Sequence, residues 1–170
     1  MCSSDLANAV ITSRVPARKL LGLHPAIILG VLDFIGLLVA GYLSAVELSG
    51  GVPICGPIKG CEEVALSEYA RIGGVPVALF GVLLSIVLLT LAIAWWKTDI
   101  YGLLLAHYGL SLVGVIFDGY FLYLQVFVIK AVCIWCLTYE ISLLLRFLIA
   151  FLVWYRQPKP GEEMEGVEDE

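Results

Sequence analysis

The sequence predicts an all-α membrane protein: a bundle of four transmembrane helices with an outer loop that carries a short surface helix. Three observations support this fold class. Of the 170 residues, 61% are hydrophobic and only 15% are charged, and the mean hydropathy is +0.97. A soluble domain of this length cannot withdraw so much apolar surface from water. The apolar residues also form four stretches that are each long enough to cross a bilayer.

The two ends of the chain are polar. Residues 1–25 are expected to form a cytoplasmic segment, and residues 156–170 an acidic, disordered tail. The first apolar stretch is longer than the core of a cleavable signal peptide, so we expect it to remain as an uncleaved helix. The net charge is −5, and no basic cluster points to a nucleic-acid partner.

Between these ends, residues 26–155 are expected to form one transmembrane domain. Its longest polar connection is the outer loop, residues 47–74, in which Glu62–Ala70 has the composition of a short surface helix. Pro76 follows two glycines and suits the first turn of the second helix. The predicted spans are about 26–46, 75–96, 100–129 and 133–154.

The distribution of Lys and Arg predicts the orientation of the bundle. Cytoplasmic connections carry an excess of these residues. Arg14, Arg18, Lys19, Lys97, Arg156 and Lys159 lie on the side of the termini, and Lys59, Arg71 and Lys130 lie on the other. The bias predicts a multi-pass protein of the cell membrane, with both termini in the cytoplasm and the long loop on the outer face.

The cysteines form two pairs that this topology brings to the same outer face. Cys55 and Cys61 lie in the loop, and Cys133 and Cys136 open the fourth span. Cysteines at i and i+3 share one face of a helix. Unpaired N–H groups at a helix N-terminus favour the thiolate of the first one. The pattern is typical of a redox dithiol with one electron partner in water and another in lipid; Cys2 is given no role.

Three simpler interpretations of the cysteines remain open. They are inert apolar residues, the ligands of a tetrahedral zinc ion, or two static structural disulfides. The presence of two cysteine pairs on the same outer face makes the interpretation as inert apolar residues less favourable. Zinc is disfavoured because Cys136 continues directly into an apolar helix rather than a turn. Static disulfides are the most credible of the three.

The sequence resembles the vitamin K epoxide reductase family over residues 26–155. The resemblance rests on Cys-Glu-Glu-Val at 61–64, Gly-Gly-Val-Pro at 73–76, Leu-Phe-Gly at 79–81 and Cys-x-Trp-Cys at 133–136. It implies a four-helix bundle around a quinone of the ubiquinone or menaquinone type, without a metal. Prokaryotic members of the family oxidise the thiols of secreted proteins through a thioredoxin-like partner and pass the electrons to membrane quinone.

The resemblance also implies a role for each cysteine. Cys136 would lie beside the quinone, and Cys133 would exchange with the loop. Cys61 would be the loop cysteine that attacks Cys133, and Cys55 the one that meets the partner. The partner would be a separate thioredoxin-like protein, because this chain ends in a short acidic tail.

The implied quinone contacts include two departures from the family pattern. Animal members have an Asn at the position of Val77. They also place a Tyr four residues after the second active-site Cys, whereas Tyr139 comes three after Cys136. We therefore expect disulfide formation, rather than epoxide reduction, to be the activity of this protein. The candidate quinone-binding residues are Ser67, Val77, Phe80, Tyr139 and Glu140.

Ionisable residues inside the spans allow two interpretations each. Glu140 lies four residues beyond Cys136, on the same helical face. It is either a proton donor to reduced quinone or a neutral carboxyl bonded to a neighbouring helix. Asp33 and Asp118 allow the same two interpretations, and Arg146 is a partner for either.

Three functional hypotheses follow. The favoured one is a membrane thiol:quinone oxidoreductase that generates disulfide bonds. The second is a thiol-driven quinone or vitamin K epoxide reductase. The third is a non-enzymatic membrane subunit with structural disulfides.

Overall fold

The computed structural model describes residues 11–14, 23–55 and 60–156. Within these residues, four helices are long and apolar enough to cross a membrane, which confirms the predicted fold class. The acidic tail, most of the N-terminal segment and Cys2 lie outside the described residues. The helices are α1 Pro25–Leu48, α2 Gly60–Ala65, α3 Val77–Thr98, α4 Tyr101–Tyr123 and α5 Ile134–Arg156.

The four long helices pack so that α3 and α5 each contact both α1 and α4. Two clusters of buried side chains fill the bundle, one around Leu29, Trp95 and Leu104 and one around Leu88 and Leu143. The outward faces are also apolar, as helices surrounded by lipid require. Among the exposed side chains are Val31, Leu83, Val113 and Ile116.

A fully buried ionic cluster ties three of the helices together. The guanidinium of Arg146 on α5 donates to Asp33 Oδ1 on α1 at 3.2 Å. His107 Nε2 on α4 lies 3.1 Å from Asp33 Oδ2. Of the two partners that the sequence left open for Arg146, the folded chain uses Asp33. Gly36 makes the approach possible, because a Cβ there would collide with the guanidinium.

The connection into α3 differs from the prediction. The strands β1, Arg71–Ile72, and β2, Val75–Pro76, form a two-residue antiparallel hairpin. Gly73 and Gly74 have φ of +60° and +87°, and a two-residue hairpin turn of this kind requires positive φ at both positions. The second long helix therefore begins at Val77, after the hairpin, rather than at Val75.

The surface helix of the loop is interrupted. It was predicted over Glu62–Ala70, but α2 ends at Ala65 and a separate 3-10 turn covers Glu68–Ala70. Between them Ser67 has an extended backbone, and its hydroxyl donates to the carbonyl of Val64 at 2.7 Å. A Ser side chain that bonds the backbone carbonyl three residues earlier competes with helix propagation, which accounts for the break.

The C-terminal end of α4 widens into a π-helix over Leu124–Ile129. Lys130 ends it in the left-handed conformation, with φ of +59°, and Ala131 N donates to Gln125 O at 3.0 Å. The chain then reaches the start of α5 within a few residues. π-Segments inside α-helices are frequent at functional sites, and this one turns Gln125 into the protein, where it is 2% exposed.

Candidate active site

Cys133 occupies the residue before the first turn of α5. Its carbonyl accepts from Leu137 N at 2.9 Å, and its Sγ accepts from Cys136 N at 3.4 Å. A Ser or Thr hydroxyl at such a position caps a helix in the same way. Here the acceptor is sulfur, so the N–H groups of the helix stabilise a thiolate.

The ionisation of Cys133 reflects this position. A hydrogen bond from the Cys136 side chain lowers the pKa of Cys133 from 9.0 to about 7, with help from the backbone N–H groups of Cys136 and Trp135 and against the effect of burial. A thiol with this pKa is roughly half thiolate at neutral pH. The first cysteine of the pair is therefore a ready nucleophile.

The loop cysteines lie against Cys133. Cys55 and Cys61 form a disulfide with their Cα atoms 5.9 Å apart, whereas Cys133 and Cys136 are free thiols. The Sγ atoms of Cys55, Cys61 and Cys133 all lie within 4.8 Å of one another. Three sulfurs at this spacing can also hold a metal ion, but two of them are engaged in the disulfide. A thiol beside a disulfide is the arrangement from which exchange proceeds.

Burial distinguishes the two loop cysteines. Cys61 is 0% exposed and Cys133 is 1% exposed, while Cys55 is half-buried. The sulfurs of Cys61 and Cys133 are therefore shielded from water, and Cys55 is the loop cysteine more accessible at the protein surface.

Gly60 brings α2 close enough for this contact. A Cβ on Gly60 would lie 2.5 Å from Val132 O and 2.7 Å from Val132 N. Only glycine allows the backbone of α2 to rest on the backbone of the segment that precedes α5. The next residue is Cys61, so this close approach sets the position of its sulfur; sequence analysis missed it, since the two residues are far apart in the chain.

Two aromatic side chains hold the loop residue next to Cys55. The rings of Tyr42 and Trp135 lie 4.7 Å apart between centroids. Trp135 Nε1 donates to Ile54 O at 2.9 Å, and Ile54 N donates to the Tyr42 hydroxyl at 3.2 Å. The Trp of the Cys-x-Trp-Cys motif is the signal that could have suggested this role, because its N–H requires a partner at a polar edge.

Gln125 links the cysteine segment to the carboxyl of Glu140. Its Oε1 accepts from Cys133 N at 3.0 Å, and its Nε2 donates to Glu140 Oε1 at 2.9 Å. The amide thus fixes both the start of α5 and the orientation of an acid one turn deeper.

A cavity of about 340 Å³ lies beneath the cysteines, between the long helices and the loop. Cys61, Cys133 and Cys136 reach it, and most of its remaining wall is apolar. The volume falls within the range of small-ligand sites. The five residues predicted to contact quinone all line it: Ser67, Val77, Phe80, Tyr139 and Glu140. Their contact with a quinone stays a prediction.

Tyr139 forms a fixed wall of this cavity. Its hydroxyl donates to Gly81 O at 3.1 Å and lies 3.3 Å from Ser85 Oγ. A Cβ on Gly81 would lie 3.3 Å from Tyr139 Cζ, so the glycine makes room for the ring. The hydroxyl is therefore used to join α5 to α3.

Comparison with known protein families places this site within a family match. The model of the vitamin K epoxide reductase family matches residues 27–151. The matched segment runs from the start of α1 into the last turns of α5 and includes both cysteine pairs and the cavity between them.

Proposed function

The chain belongs to the vitamin K epoxide reductase family, and on this premise we propose that it is a membrane thiol:quinone oxidoreductase that generates disulfide bonds. Members of the family are oxidoreductases that use quinones as electron acceptors. The observation that carries the proposal is the contact of the buried Cys133 thiol with the Cys55–Cys61 disulfide above an apolar cavity.

In the proposed relay, electrons enter at Cys55. A thiolate of a thioredoxin-like partner attacks Cys55, frees Cys61 and leaves a mixed disulfide, which the second thiol of the partner resolves. The partner departs oxidised, and the loop pair is left as two thiols.

The second exchange passes the electrons inward. The Cys61 thiolate attacks Cys133 of a Cys133–Cys136 disulfide, and Cys136 leaves as a thiolate. Cys55 then attacks Cys61, which restores the loop disulfide and releases Cys133.

Quinone is the second substrate and accepts two electrons and two protons. An apolar cavity that reaches Cys136 suits a lipid-soluble ring. With the orientation expected from the Lys and Arg bias, the cysteines face outward, where secreted proteins fold and disulfides persist. The partner would reach Cys55 from the aqueous side.

The alternatives have less support. A thiol-driven epoxide reductase of the animal type is disfavoured by the departures at Val77 and Tyr139, and the Tyr139 hydroxyl is engaged by Gly81 and Ser85. A subunit with two static disulfides gives no role to the apolar cavity that Cys133 and Cys136 line.

The test is whether dithiol oxidation depends on quinone. The full chain in lipid nanodiscs, kept anaerobic, should oxidise a reduced thioredoxin-like domain only after a short-chain ubiquinone or menaquinone is added. The Cys136→Ser protein is the control and should not turn over. Oxidation that proceeds equally without quinone, or no oxidation with either quinone, contradicts the proposal.

A further inference from the structure

The cavity contains three carboxyl oxygens that lack hydrogen-bond partners. Glu47 on α1, Asp118 on α4 and Glu140 on α5 all line it. Each has one buried side-chain oxygen with no hydrogen-bond partner among the described residues: Glu47 Oε2, Asp118 Oδ2 and Glu140 Oε2. Buried polar atoms are nearly always paired in proteins, so each exception calls for a chemical reason.

Asp33 provides the contrast. It is also a buried carboxyl within the helical bundle, but both of its oxygens are paired, one with Arg146 and one with His107. The fold therefore satisfies a buried carboxylate fully where that group holds helices together. The carboxyl oxygens that lack a partner among the described residues belong to side chains that line the cavity instead.

Among the three acids, Glu140 is the one tied to the cysteines. It lies four residues after Cys136, one helical turn deeper on the same face. Gln125 holds its Oε1 and, through the other end of the amide, the N–H of Cys133. None of the ion pairs within the described part of the chain includes Glu140, so its second oxygen is available to a ligand.

We propose that Glu140 is the general acid that protonates the bound quinone as the Cys133–Cys136 disulfide forms. The inference rests on the proposed function and assigns one residue within it. Gln125 is the positioning residue that keeps the carboxyl and the cysteine segment in fixed relation.

Proton balance explains why such an acid is needed. The Cys133 thiolate and the Cys136 thiol form the S–S bond and give two electrons to the quinone. Cys136 leaves the exchange as a thiolate, takes up one proton from water and passes it to one quinone oxygen, whereas Cys133 is released as a thiolate and carries no proton. Glu140 gives the second proton, so the products are a disulfide, a quinol and the Glu140 carboxylate. Water returns a proton to Glu140 before the next cycle.

Other ionisable groups surround this acid. Asp118 faces it from α4 and is close enough to interact electrostatically. Glu47 lies on α1, Cys133 on the segment before α5, and Tyr139 and Arg146 on α5 itself. Arg146 is bonded to Asp33, so it is not free to hold the Glu140 carboxylate.

The experiment is a single turnover of the full chain in nanodiscs. The inner pair is reduced with a dithiol, excess dithiol is removed, and the protein is mixed anaerobically with a short-chain ubiquinone or menaquinone. Absorbance gives the rate of quinol formation from pH 5.5 to 9, in water and in deuterium oxide. Glu140→Gln retains an acceptor for Gln125 and removes the acid, Glu140→Asp keeps the acid, and Glu63→Gln is the control at an exposed carboxyl.

We expect Glu140→Gln to lower the rate on the order of a hundredfold, the range of general acid catalysis. It should also remove the solvent isotope effect, while the Kd for quinone, from tryptophan quenching, stays within about twofold, a change worth under roughly 0.5 kcal/mol. Glu140→Asp should recover part of the rate, and Glu63→Gln should match the wild type.

A weaker Kd with an unchanged maximal rate would reduce Glu140 to a binding contact and overturn the inference. A larger loss in Asp118→Asn than in Glu140→Gln would overturn it too, because the acid would then be Asp118. If Glu140→Gln does not fold, the rates of Glu140→Asp and Asp118→Asn decide: a loss confined to Glu140→Asp supports the inference, and a loss confined to Asp118→Asn overturns it. A wild type that reduces neither quinone refutes the proposed function itself, whereas an active wild type with an equally fast Glu140→Gln refutes only this inference.

Discussion

Replacing Gly60 with Ala tests whether the relay depends on the close approach of α2 to the segment before α5. The new Cβ would lie 2.5 Å from Val132 O, whereas ordinary contacts begin at 3.4 Å. The obstacle is backbone, which cannot rotate aside, so α2 must retreat by about 0.9 Å, the difference between those distances. Overpacking of this kind costs roughly 1–3 kcal/mol.

The larger effect should fall on the exchange rate. Cys61 follows Gly60 and moves with it, away from Cys133. A misplacement of about 1 Å between reacting groups can cost on the order of a hundredfold in rate. Exchange between the loop disulfide and the inner thiol should therefore slow by about that factor, while the chain still folds.

The assay uses the Cys136→Ser background, in which Cys133 attacks Cys61 and no inner thiol resolves the product. Samples are quenched with a maleimide at increasing times, and mass spectrometry measures the Cys61–Cys133 bond. Gly109→Ala is the matched control, because a Cβ there meets nothing within 4 Å. A Gly60→Ala protein that folds and exchanges at the control rate would refute the argument.

Four further outcomes are expected. In Cys136→Ser, mass spectrometry should find the Cys61–Cys133 bond to be dominant; a dominant Cys55–Cys133 bond would exchange the loop roles. Alkylation of Cys133 should accelerate as the pH rises through about 7 and level off above it, because its pKa is lowered from 9.0 to about 7; a midpoint near 9 would contradict the helix-cap argument. Phe80→Ala should raise the KM for quinone without stopping exchange of Cys55 with a dithiol, and unchanged quinone kinetics would place the pocket elsewhere. Asp33→Asn leaves the Arg146 charge buried without its counter-ion, so detergent-solubilised protein should lose roughly 3–5 kcal/mol in denaturant unfolding; a loss below about 1 kcal/mol would show that the pair is not needed.

The sequence predicts the spans well because membrane helices follow a local rule. A run of about twenty apolar residues crosses a bilayer whatever lies elsewhere in the chain. The four long helices therefore begin and end within a few residues of the predicted spans. The number of spans also puts both cysteine pairs at the same end of the bundle, because two spans, α3 and α4, lie between them.

What the sequence did not predict depends on contacts between distant residues. Whether Arg146 pairs with Asp33 or Asp118 is decided by helix rotation, and nothing in either apolar run encodes that rotation locally. The approach of Gly60 to the start of α5 is of the same kind. The hairpin at Gly73 and Gly74 is different: paired glycines between short strands are a recognised signal, and the nearby proline led instead to an early helix start.

The buried ionic cluster has a consequence for how the protein is made. A lone Arg near the middle of a membrane helix opposes insertion by about 2.5–3.5 kcal/mol on biological scales, and Arg146 lies inside α5. Its counter-ion, Asp33, is on α1, the first of the four long helices to be synthesised, and His107 arrives with α4. The last helix therefore gains its full stability in lipid only when it docks on the first. We expect the docking of α5 on α1 to be the last packing step among the four long helices. Without α1, α5 should insert poorly and be degraded by membrane proteases.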